Sequence, residues 1–481
     1  MTKLNEDAYN TFAGEDWPSY EDYINDIIGN DAIKEELSTL EKDSAKINIG
    51  YEYMSSRPLH IEFDMLTDIQ KYRLTESKTF CMLPWVHMHA FPDGRAYPCC
   101  FGEYSHPVGD LRKNTMEEVW NQTPYQTIRQ NMLNDKTCKE CTKCYEQETN
   151  GFFSMRNDSS RNYGHLIEEI NQTQEDGTHP EFKIRYWDVR FSNLCNFSCR
   201  SCGPIFSSNW YNDHVKLYNR KPDVSGREMA RVEYTTGDEN SMIEQMLPHI
   251  PYLEQVYFAG GEPLIMKEHY FMLEQLIKHG KTDVRILYNT NFSELAFKDK
   301  HVFDYWKHFK SVSVGASLDA SGDRAELMRK GTNWKQTVSN REQMMKEVPH
   351  VDFYVSATVS SMNILHILDF HKEWTELGLV AAKDWSVNVC QSPNWYRTDI
   401  FPEDFKKNVI IPAYEKHIEW LSPQDSLKRA TNGYTSLINF LNANNASQLL
   451  PKFRKEIAKL DQIRGEDFWQ TFPELSILKN D

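Results

Sequence analysis

Six short apolar runs alternate with longer amphipathic stretches from residue 184 onward. The strand-like runs, rich in β-branched and aromatic residues, cover residues 184–192, 254–259, 284–289, 311–317, 351–359 and 384–389. Helical patterns lie between them, as in 266–279, where Tyr270 and Leu273 fall on one face. Six strand–helix repeats predict parallel strands joined by right-handed crossovers. The pattern therefore predicts an α/β domain over residues 183–400.

The pattern differs on either side of this region. Residues 1–78 are acidic and predicted to be mostly helical, with Ser19 as a candidate N-cap. Residues 401–481 are again helical in periodicity, and an apolar stripe beginning at Phe453 indicates packing rather than cofactor chemistry. Residues 156–182 are polar and rich in turn formers, which predicts a linker.

A cysteine-rich module is predicted over residues 79–155. Two strand-like runs flank the turn at residues 92–94 and predict a β-hairpin, which brings Cys81 and Cys99 together across its base. A helical stretch follows over residues 116–132. Beyond it come three more cysteines: Cys138, Cys141 and Cys144. Cysteines clustered in this way favour metal binding or catalysis over a disulfide framework.

Composition narrows the class of protein. The chain has 481 residues, 40% of them hydrophobic and 26% charged, as in ordinary globular proteins. Its 54 basic and 70 acidic residues give a net charge of −16, which argues against nucleic acid as a partner. No apolar run is long enough to cross a bilayer, and the N-terminus does not resemble a signal peptide. The cysteines fall in clusters, so we expect a reducing, cytoplasmic location for the protein. Only Cys390 stands apart from these clusters, and we expect its side chain to be buried.

The stretch 191–202 (F-S-N-L-C-N-F-S-C-R-S-C) follows the first predicted strand directly. It holds Cys195, Cys199 and Cys202 at the spacing C-x3-C-x2-C. Three thiolates in one tight loop can bind three irons of a 4Fe–4S cluster, and the fourth iron then has no nearby protein ligand. An open coordination position is typical of a catalytic metal site. A zinc ion with a distant fourth ligand is the alternative interpretation.

This loop resembles the signature of the radical S-adenosylmethionine (SAM) enzymes. The family fold is a partial (β/α)6 TIM-like barrel, and the six repeats agree with that number. The residue before the third cysteine is usually aromatic in the family, whereas here it is Ser201, and Phe197 is a candidate for the missing ring. The resemblance implies that SAM chelates the open iron and is cleaved reductively to a 5′-deoxyadenosyl radical.

The same resemblance implies a SAM-binding role for residues that follow the predicted strands. These residues are Gly260, Gly261, Glu262, Pro263, Asn291, Ser317, Asp319, Arg329, Thr358 and Ser360. In the G-G-E-P motif, glycines permit close backbone approach, and Glu262 offers an acceptor for the SAM amino group. Arg329 belongs to an R-x-G element and is assigned to the SAM carboxylate, with a solvated salt bridge as the alternative.

The cysteine-rich module resembles the auxiliary cluster domains called SPASM and twitch. The shared pattern is C-x12-G-x4-C followed by C-x2-C, here placed before the barrel as in the subgroup with an N-terminal twitch. The resemblance implies a second 4Fe–4S cluster on four ligands: Cys81, Cys99, Cys141 and Cys144. Cys100 and Cys138 are surplus, and either could replace a neighbour. A structural zinc ribbon requires the same four thiolates and stays open as an alternative.

The resemblance implies a radical SAM enzyme that abstracts hydrogen from a peptide or protein. A reducing partner such as flavodoxin or ferredoxin would supply electrons. The alternative function is that of a non-catalytic scaffold or binding protein stabilised by iron–sulfur clusters or zinc. The G-G-E-P motif after the second strand argues against that alternative, because a scaffold has no need of a site for an amino group.

Overall fold

The structure is a computed structural model that describes residues 58–149 and 153–479. The helix predicted to begin at Ser19 lies outside these residues. Among the helices that are described, none combines the length and apolar character needed to cross a membrane.

The described chain divides into two compact units. The first comprises the residues up to His87, Tyr97–Val108 and Trp120–Phe182, and the second comprises Met88–Ala96, Gly109–Val119 and the residues from Lys183 onward. The predicted boundary at residue 183 thus coincides with a change of unit. The cysteine-rich module does not form a unit of its own, because its hairpin strands join the large sheet of the second unit.

Fifteen strands are present in the described residues. They are β1 (His87–Ala90), β2 (Arg95–Tyr97), β3 (Gly109–Asp110), β4 (Tyr186–Val189), β5 (Ser198–Cys199), β6 (Asp223–Val224), β7 (Arg227–Glu228), β8 (Gln255–Phe258), β9 (Arg285–Thr290), β10 (Ala296–Phe297), β11 (Lys300–His301), β12 (Ser311–Ala316), β13 (Arg329–Lys330), β14 (Asp352–Val359) and β15 (Trp385–Val389).

Nine of these strands form one sheet in the order β15-β14-β12-β9-β8-β4-β1-β2-β3. From β4 to β15 every neighbouring pair is parallel and follows chain order. The remaining strands form three short antiparallel pairs, β5 with β13, β6 with β7, and β10 with β11. All six predicted strands are confirmed, although the first is shorter than its apolar run. The chain is an α/β protein with a large, mostly parallel sheet.

Eighteen α-helices are present in the described residues. They are α1 (Asp68–Thr75), α2 (Leu83–Val86), α3 (Met116–Trp120), α4 (Thr123–Leu133), α5 (Thr142–Thr149), α6 (Met155–Tyr163), α7 (Trp210–Tyr218), α8 (Glu239–Met246), α9 (Lys267–Lys278), α10 (Val302–Trp306), α11 (Gly322–Met328), α12 (Trp334–Glu347), α13 (His366–Glu376), α14 (Glu403–Phe405), α15 (Ile411–Leu421), α16 (Arg429–Ala443), α17 (Leu450–Arg464) and α18 (Phe468–Thr471).

Helices lie between successive parallel strands, as parallel pairing requires a long crossover. The helix predicted over 266–279 is α9, and it buries Tyr270 and Leu273 as the periodicity indicates. On β9, buried residues alternate with half-buried ones, so one face of the strand packs inward. His269 of α9 lies against that face, with its Nε2 2.8 Å from the hydroxyl of Tyr288.

The predicted hairpin is confirmed, but its first run begins with a helix. β1 and β2 are neighbours in the sheet, and the turn between them contains Gly94 at φ 91°. Residues Leu83–Val86 form the short helix α2 instead of extending β1. Pro84 explains the difference, since its fixed φ and missing N–H suit the first turn of a helix. Helices α3 and α4 confirm the helical stretch predicted over 116–132.

Residues 156–182 do not form the predicted linker. This segment forms α6 and a 3-10 helix, Gly164–Gln172, both with buried residues. A capping box at Ser154 starts α6. Arg156 donates to Glu148 and, at 2.8 Å each, to the carbonyls of Ser77 and Phe80. The polar side chains that suggested a linker therefore make buried hydrogen bonds.

The C-terminal region is helical as predicted. Helices α14 to α18 occupy it, together with a π-helical turn at Lys406–Ile410. Phe453 and Ile457 of the predicted stripe are buried in α17. The region belongs to the same compact unit as the parallel sheet, so residues 401–481 are not a separate domain.

Several histidines are buried in the second unit. Nδ1 of His371 lies 3.0 Å from Nε2 of His417, and its ring stacks on Trp385 with centroids 4.2 Å apart. Burial lowers the pKa of His371 to about 4 and that of His417 to about 3. Burial likewise lowers the pKa of His269 to about 3. These side chains are neutral in the folded protein and become charged when the chain unfolds in mild acid.

We predict that the iron-free protein loses stability as the pH falls from 7 to 5. An unfolded histidine titrates near pH 6.5, so in this interval the unfolded chain binds more protons than the folded one. The loss should reach about 2 kcal/mol per buried histidine at pH 5. Urea unfolding of His269→Phe should show a smaller loss over this interval, whereas the exposed His279→Gln should match the parent chain. Equal losses in all three proteins would contradict the prediction.

Candidate functional site

The cysteine loop, defined here as residues 191–203, follows β4. Cys195, Cys199 and Cys202 are free thiols in this loop, with Cys199 buried and the other two half-buried. The Cys202 amide donates to the Cys199 carbonyl at 3.0 Å, and the Phe197 amide lies 3.4 Å from the sulfur of Cys195. These bonds fold the loop tightly, so the three predicted ligands share one environment.

Burial raises the pKa of all three thiols. At Cys202 it does so to about 12, with the charge of Cys199 adding to the effect. The guanidinium of Arg329 opposes the shift at Cys199. Three thiolates are therefore costly here unless a cation accompanies them, and metal binding to such thiols releases their protons. This donor set fits an iron–sulfur cluster held by Cys195, Cys199 and Cys202.

The G-G-E-P segment after β8 lies directly against the cysteine loop. Gly260 has φ 119°, a conformation that residues with a side chain rarely adopt. A Cβ on Gly261 would lie 2.1 Å from the Leu194 carbonyl oxygen. The Glu262 amide donates to that same carbonyl at 2.8 Å. The two glycines thus allow the backbone of the G-G-E-P segment to contact the backbone of the cysteine loop. This contact helps to fix the position of the cysteine loop.

The Glu262 carboxylate joins two loops. It is 1% exposed and accepts hydrogen bonds from the Leu264 amide (3.1 Å), the Thr290 hydroxyl (2.7 Å) and the Asn291 amide (2.7 Å). Burial raises the pKa of Glu262 to about 7, although these hydrogen bonds oppose the shift. A carboxylate can accept about four hydrogen bonds, which leaves capacity for one more donor. Pro263 then begins a 3-10 turn that leads towards α9.

Asn291, at the end of β9, connects to the cysteine loop through side chains. Its Nδ2 donates to Oδ1 of Asn196 at 2.8 Å, and Nδ2 of Asn196 donates to the Ser293 hydroxyl at 2.9 Å. Asn196 lies next to Cys195. The second and third parallel strands therefore both place a loop against the cysteine loop.

Arg329 makes the third contact to the cysteine loop. β13 pairs antiparallel with β5, so that Arg329 lies opposite Cys199. The guanidinium donates to Oδ2 of Asp319 at 2.8 Å and lies 3.7 Å from the sulfur of Cys199. Its side chain is only 15% exposed, so this pair is not the solvated salt bridge considered as an alternative. Gly331 allows the approach, because a Cβ there would lie 2.7 Å from the Phe197 ring.

The predicted residues of the last strands form a smaller network. The Thr358 amide donates to Oδ1 of Asp319 at 2.8 Å, and the Ser360 amide donates to Oδ1 of Asn363 at 2.8 Å. Asn363 in turn donates to the Asp319 carbonyl at 2.8 Å. Ser317 is tied to the preceding strand, since its amide donates to the Thr290 carbonyl at 2.7 Å. Asp319 is therefore the shared partner of the ends of β12 and β14.

Sequence reasoning missed a group of side chains from the C-terminal region. Arg200 lies inside the cysteine loop, and its guanidinium donates to Asp461 and Glu466. Arg464 donates to the Ser198 carbonyl at 2.8 Å. Neither periodicity nor motif spacing signals these contacts. The charged residues next to the apolar stripe of α17 are the one sequence feature that could have indicated these contacts.

The four predicted auxiliary ligands also lie together, in the first unit. One small cavity is lined by Cys81, Leu83, Cys99, Phe101, Glu140, Cys141, Cys144, Met155 and Arg156. Burial raises the pKa of Cys81 to about 12, and it also raises that of Cys99. These buried thiols also favour a cationic partner, so their donor set fits a cluster.

The two surplus cysteines do not line this cavity. The thiol of Cys138 is buried and lies 3.8 Å from the Ile128 carbonyl oxygen. Its amide donates to the Tyr145 hydroxyl at 3.1 Å. Cys100 is half-buried and adjoins Cys99 in the chain. The side chain of Cys138 is nevertheless hydrogen-bonded to the thiol of Cys141, so Cys138 lies next to one of the four predicted ligands although it does not line the cavity.

In the part of the chain that the structure describes, no three His, Cys, Asp or Glu side chains lie close enough to hold a single metal ion. A cluster whose cysteines bind different irons is compatible with this wider spacing. Cys390 is 3% exposed at the end of β15, with its sulfur 3.5 Å from the Ser392 carbonyl oxygen. Its predicted burial is confirmed.

The cysteine-rich module matches a known protein family. Residues 81–145 match the SPASM family, described as an iron–sulfur cluster-binding domain. The resemblance of the cysteine-rich module to SPASM domains is therefore confirmed. No curated protein sequence matches the chain.

Several solved structures are partly similar. One is native anSMEcpe with bound AdoMet (20% identity, 53% of this chain, 61% of that chain, TM-score 0.31). Another is the same protein with bound AdoMet and a peptide (19%, 50%, 59%, TM-score 0.31). A third is TYW1 with a lysine–pyruvate adduct (12%, 51%, 72%, TM-score 0.25). The chain spans about three fifths of the length of the first of these. With TM-scores below 0.5, these likenesses carry no argument about fold or activity.

We predict that Gly261→Ala displaces the cysteine loop. The new methyl group would collide with a backbone carbonyl that cannot turn away, at a cost of about 1–3 kcal/mol. Urea unfolding of the iron-free variant should show this loss, and reconstitution should yield less iron at the loop. Gly203→Ala is the matched control, because a Cβ there has nothing within 4 Å. Equal stability and iron content in the two variants would contradict the prediction.

We also predict which cysteines hold the auxiliary metal. Serine at Cys81, Cys99, Cys141 or Cys144 should lower the iron bound by the module after anaerobic reconstitution, since each thiol lines the cavity. Serine at Cys138 should lower the iron content less than serine at Cys141, because Cys138 hydrogen-bonds Cys141 but does not line the cavity. Iron and sulfide analysis of each variant decides the set. Loss of iron from Cys138→Ser with retention in Cys141→Ser would reverse the assignment.

Proposed function

We propose that this chain is a radical SAM enzyme with an auxiliary iron–sulfur cluster in its SPASM-type module. One observation carries the proposal: three loops at the ends of neighbouring elements are bonded to a loop with three buried thiols. These loops contain Glu262, Asn291 and Arg329. A structural metal site needs only the thiols, whereas a site for a chelating cofactor also needs polar groups around the open iron.

Cys195, Cys199 and Cys202 would hold a 4Fe–4S cluster with one iron open for SAM. When bound, cluster and SAM supply reductive cleavage to a 5′-deoxyadenosyl radical, which abstracts hydrogen from the substrate. The parallel sheet, with six strands in chain order and helices between them, would form the partial (β/α)6 barrel of this family. Loops at the carboxyl ends of barrel strands are the usual place for such sites.

The residues around the cysteine loop would orient SAM. The Glu262 carboxylate has capacity for one further donor, which suits the SAM amino group. Gly260 and Gly261 would let SAM approach the backbone. Arg329 would attract the SAM carboxylate while Asp319 holds the guanidinium in place. The remaining predicted contacts, Pro263, Asn291, Ser317, Thr358 and Ser360, would shape the edge of the pocket towards the ribose and adenine.

The auxiliary module would bind a second 4Fe–4S cluster through Cys81, Cys99, Cys141 and Cys144. Four thiolates close the coordination of such a cluster, so its role would be electron transfer to or from the substrate rather than SAM binding. We propose a peptide or protein as substrate, because the module of this chain resembles the SPASM and twitch modules that many peptide-modifying enzymes carry. A flavodoxin- or ferredoxin-type donor would supply electrons. The clustering of the cysteines supports a reducing, cytoplasmic location.

The test replaces Cys195, Cys199 and Cys202 together by alanine. The parent chain should bind about eight irons and form 5′-deoxyadenosine from SAM under anaerobic, reducing conditions. The triple variant should keep about half the iron and form no 5′-deoxyadenosine.

Two outcomes would reject the proposal. Undiminished 5′-deoxyadenosine in the triple variant would show that the loop is not the site. Stoichiometric zinc with negligible iron after anaerobic purification of the parent chain would favour a zinc-stabilised scaffold. Cys390→Ala serves as the control for iron content, because Cys390 belongs to neither cysteine set.

A further inference from the structure

The end of α17 contacts the cysteine loop through a buried cation. Arg200 lies between Cys199 and Cys202, and its side chain is 0% exposed. Its Nη2 donates to Oε2 of Glu466 at 2.6 Å and also to a carboxylate oxygen of Asp461. Gly465, at φ 67°, ends the helix and turns the chain back, so that both carboxylates face the same guanidinium.

Arg464, the last residue of α17, supports the backbone of the cysteine loop. Nη2 of Arg464 donates to the Ser198 carbonyl at 2.8 Å, and its Nε donates to Asp213 at 2.9 Å. The Arg464 side chain is 0% exposed, and its guanidinium lies 4.9 Å from the ring centroid of Trp210. The Trp210 indole donates to the Cys199 carbonyl at 2.7 Å. Two neighbouring carbonyls of the loop are thus fixed from this side.

A third contact joins the same segment to the strand that pairs with the loop. Nζ of Lys330 lies 3.4 Å from Oε1 of Glu466. Lys330 belongs to β13, whose partner β5 contains Cys199. Glu466 therefore interacts with both sides of this small ribbon. Breaking its contacts would leave the buried cation of Arg200 with a single carboxylate.

We propose that residues 461–468, the C-terminal clamp, position the cysteine loop for its cluster. Arg200 is the positioning residue inside the loop, and Asp461 and Glu466 hold it. A site that must accept a cluster benefits from support by a rigid element, which α17 supplies to this loop. The inference rests on the proposed function, because it assumes that this loop holds the cluster on which SAM binds.

The first test uses iron-free protein and the double variant Asp461→Asn/Glu466→Gln. Hydrogen–deuterium exchange should become about tenfold faster in residues 196–202, the effect of losing one charge-assisted hydrogen bond. The Arg200 amide is a good probe, because it donates to the Met328 carbonyl at 2.8 Å. Arg324→Gln is the matched control, since Arg324 donates to Glu474 at 2.9 Å, outside the cysteine loop.

The second test follows iron release from reconstituted protein to a chelator. In the double variant the iron of the cysteine loop should leave about tenfold faster, whereas the auxiliary iron should leave at the parental rate. The auxiliary cluster is thus an internal control in the same chain. If the double variant does not fold, Glu466→Gln alone is the milder change and should show the same pattern with a smaller effect.

Parental exchange in 196–202 together with parental iron release would overturn the inference. Faster exchange throughout the sheet would also count against it, since that result indicates general destabilisation rather than positioning. Failure of the proposed function is distinguishable. In that case the triple cysteine variant loses no iron relative to the parent chain, while the exchange experiment still reports whether the clamp holds the loop.

Discussion

Three thiols buried in one short loop impose the constraint on which the rest of the site depends. The charge of Cys199 raises the cost of ionising Cys195 and Cys202, and burial removes the water that would otherwise stabilise each thiolate. Two cations offset this cost at Cys199. Arg329 lies beside the Cys199 sulfur, and Arg464 also favours the ionised form of Cys199. Each guanidinium has its own carboxylate partner, Asp319 for the first and Asp213 for the second. Such pairing allows buried charge without a large net cost.

The parallel sheet solves the problem of bringing these groups together. Parallel strands end at the same edge, so the segments after β8, β9 and β12 reach the cysteine loop without long excursions. Glu262 then links the first two segments, and Asp319 links β12 to the start of the next network at Thr358. Many polar side chains of the site therefore hold its loops together. Side chains that hold loops in this way also leave few degrees of freedom to a bound cofactor.

The SPASM-type module uses a different solution to the same physical problem. Its four cavity-lining cysteines come from three separate segments of the first unit, and Arg156 lines the same cavity. The guanidinium of Arg156 is fixed by backbone carbonyls and by Glu148. The segment predicted as a linker thus supplies the buried cation nearest these thiols. Four cysteines line this cavity, whereas the loop after β4 contains three.

The sequence by itself determined whatever depends on neighbours along the chain. Strand and helix periods predicted the six parallel strands and α9, and cysteine spacing placed Cys195, Cys199 and Cys202 in one loop, because local geometry fixes which residues share a face or a loop. It failed at residues 156–163, where polar side chains signal a linker until their buried partners are known. The contact of Arg200 with Asp461 spans 261 residues and leaves no periodic trace. Only the tertiary structure could decide it, because the free energy of a buried charge depends on which groups surround it in space.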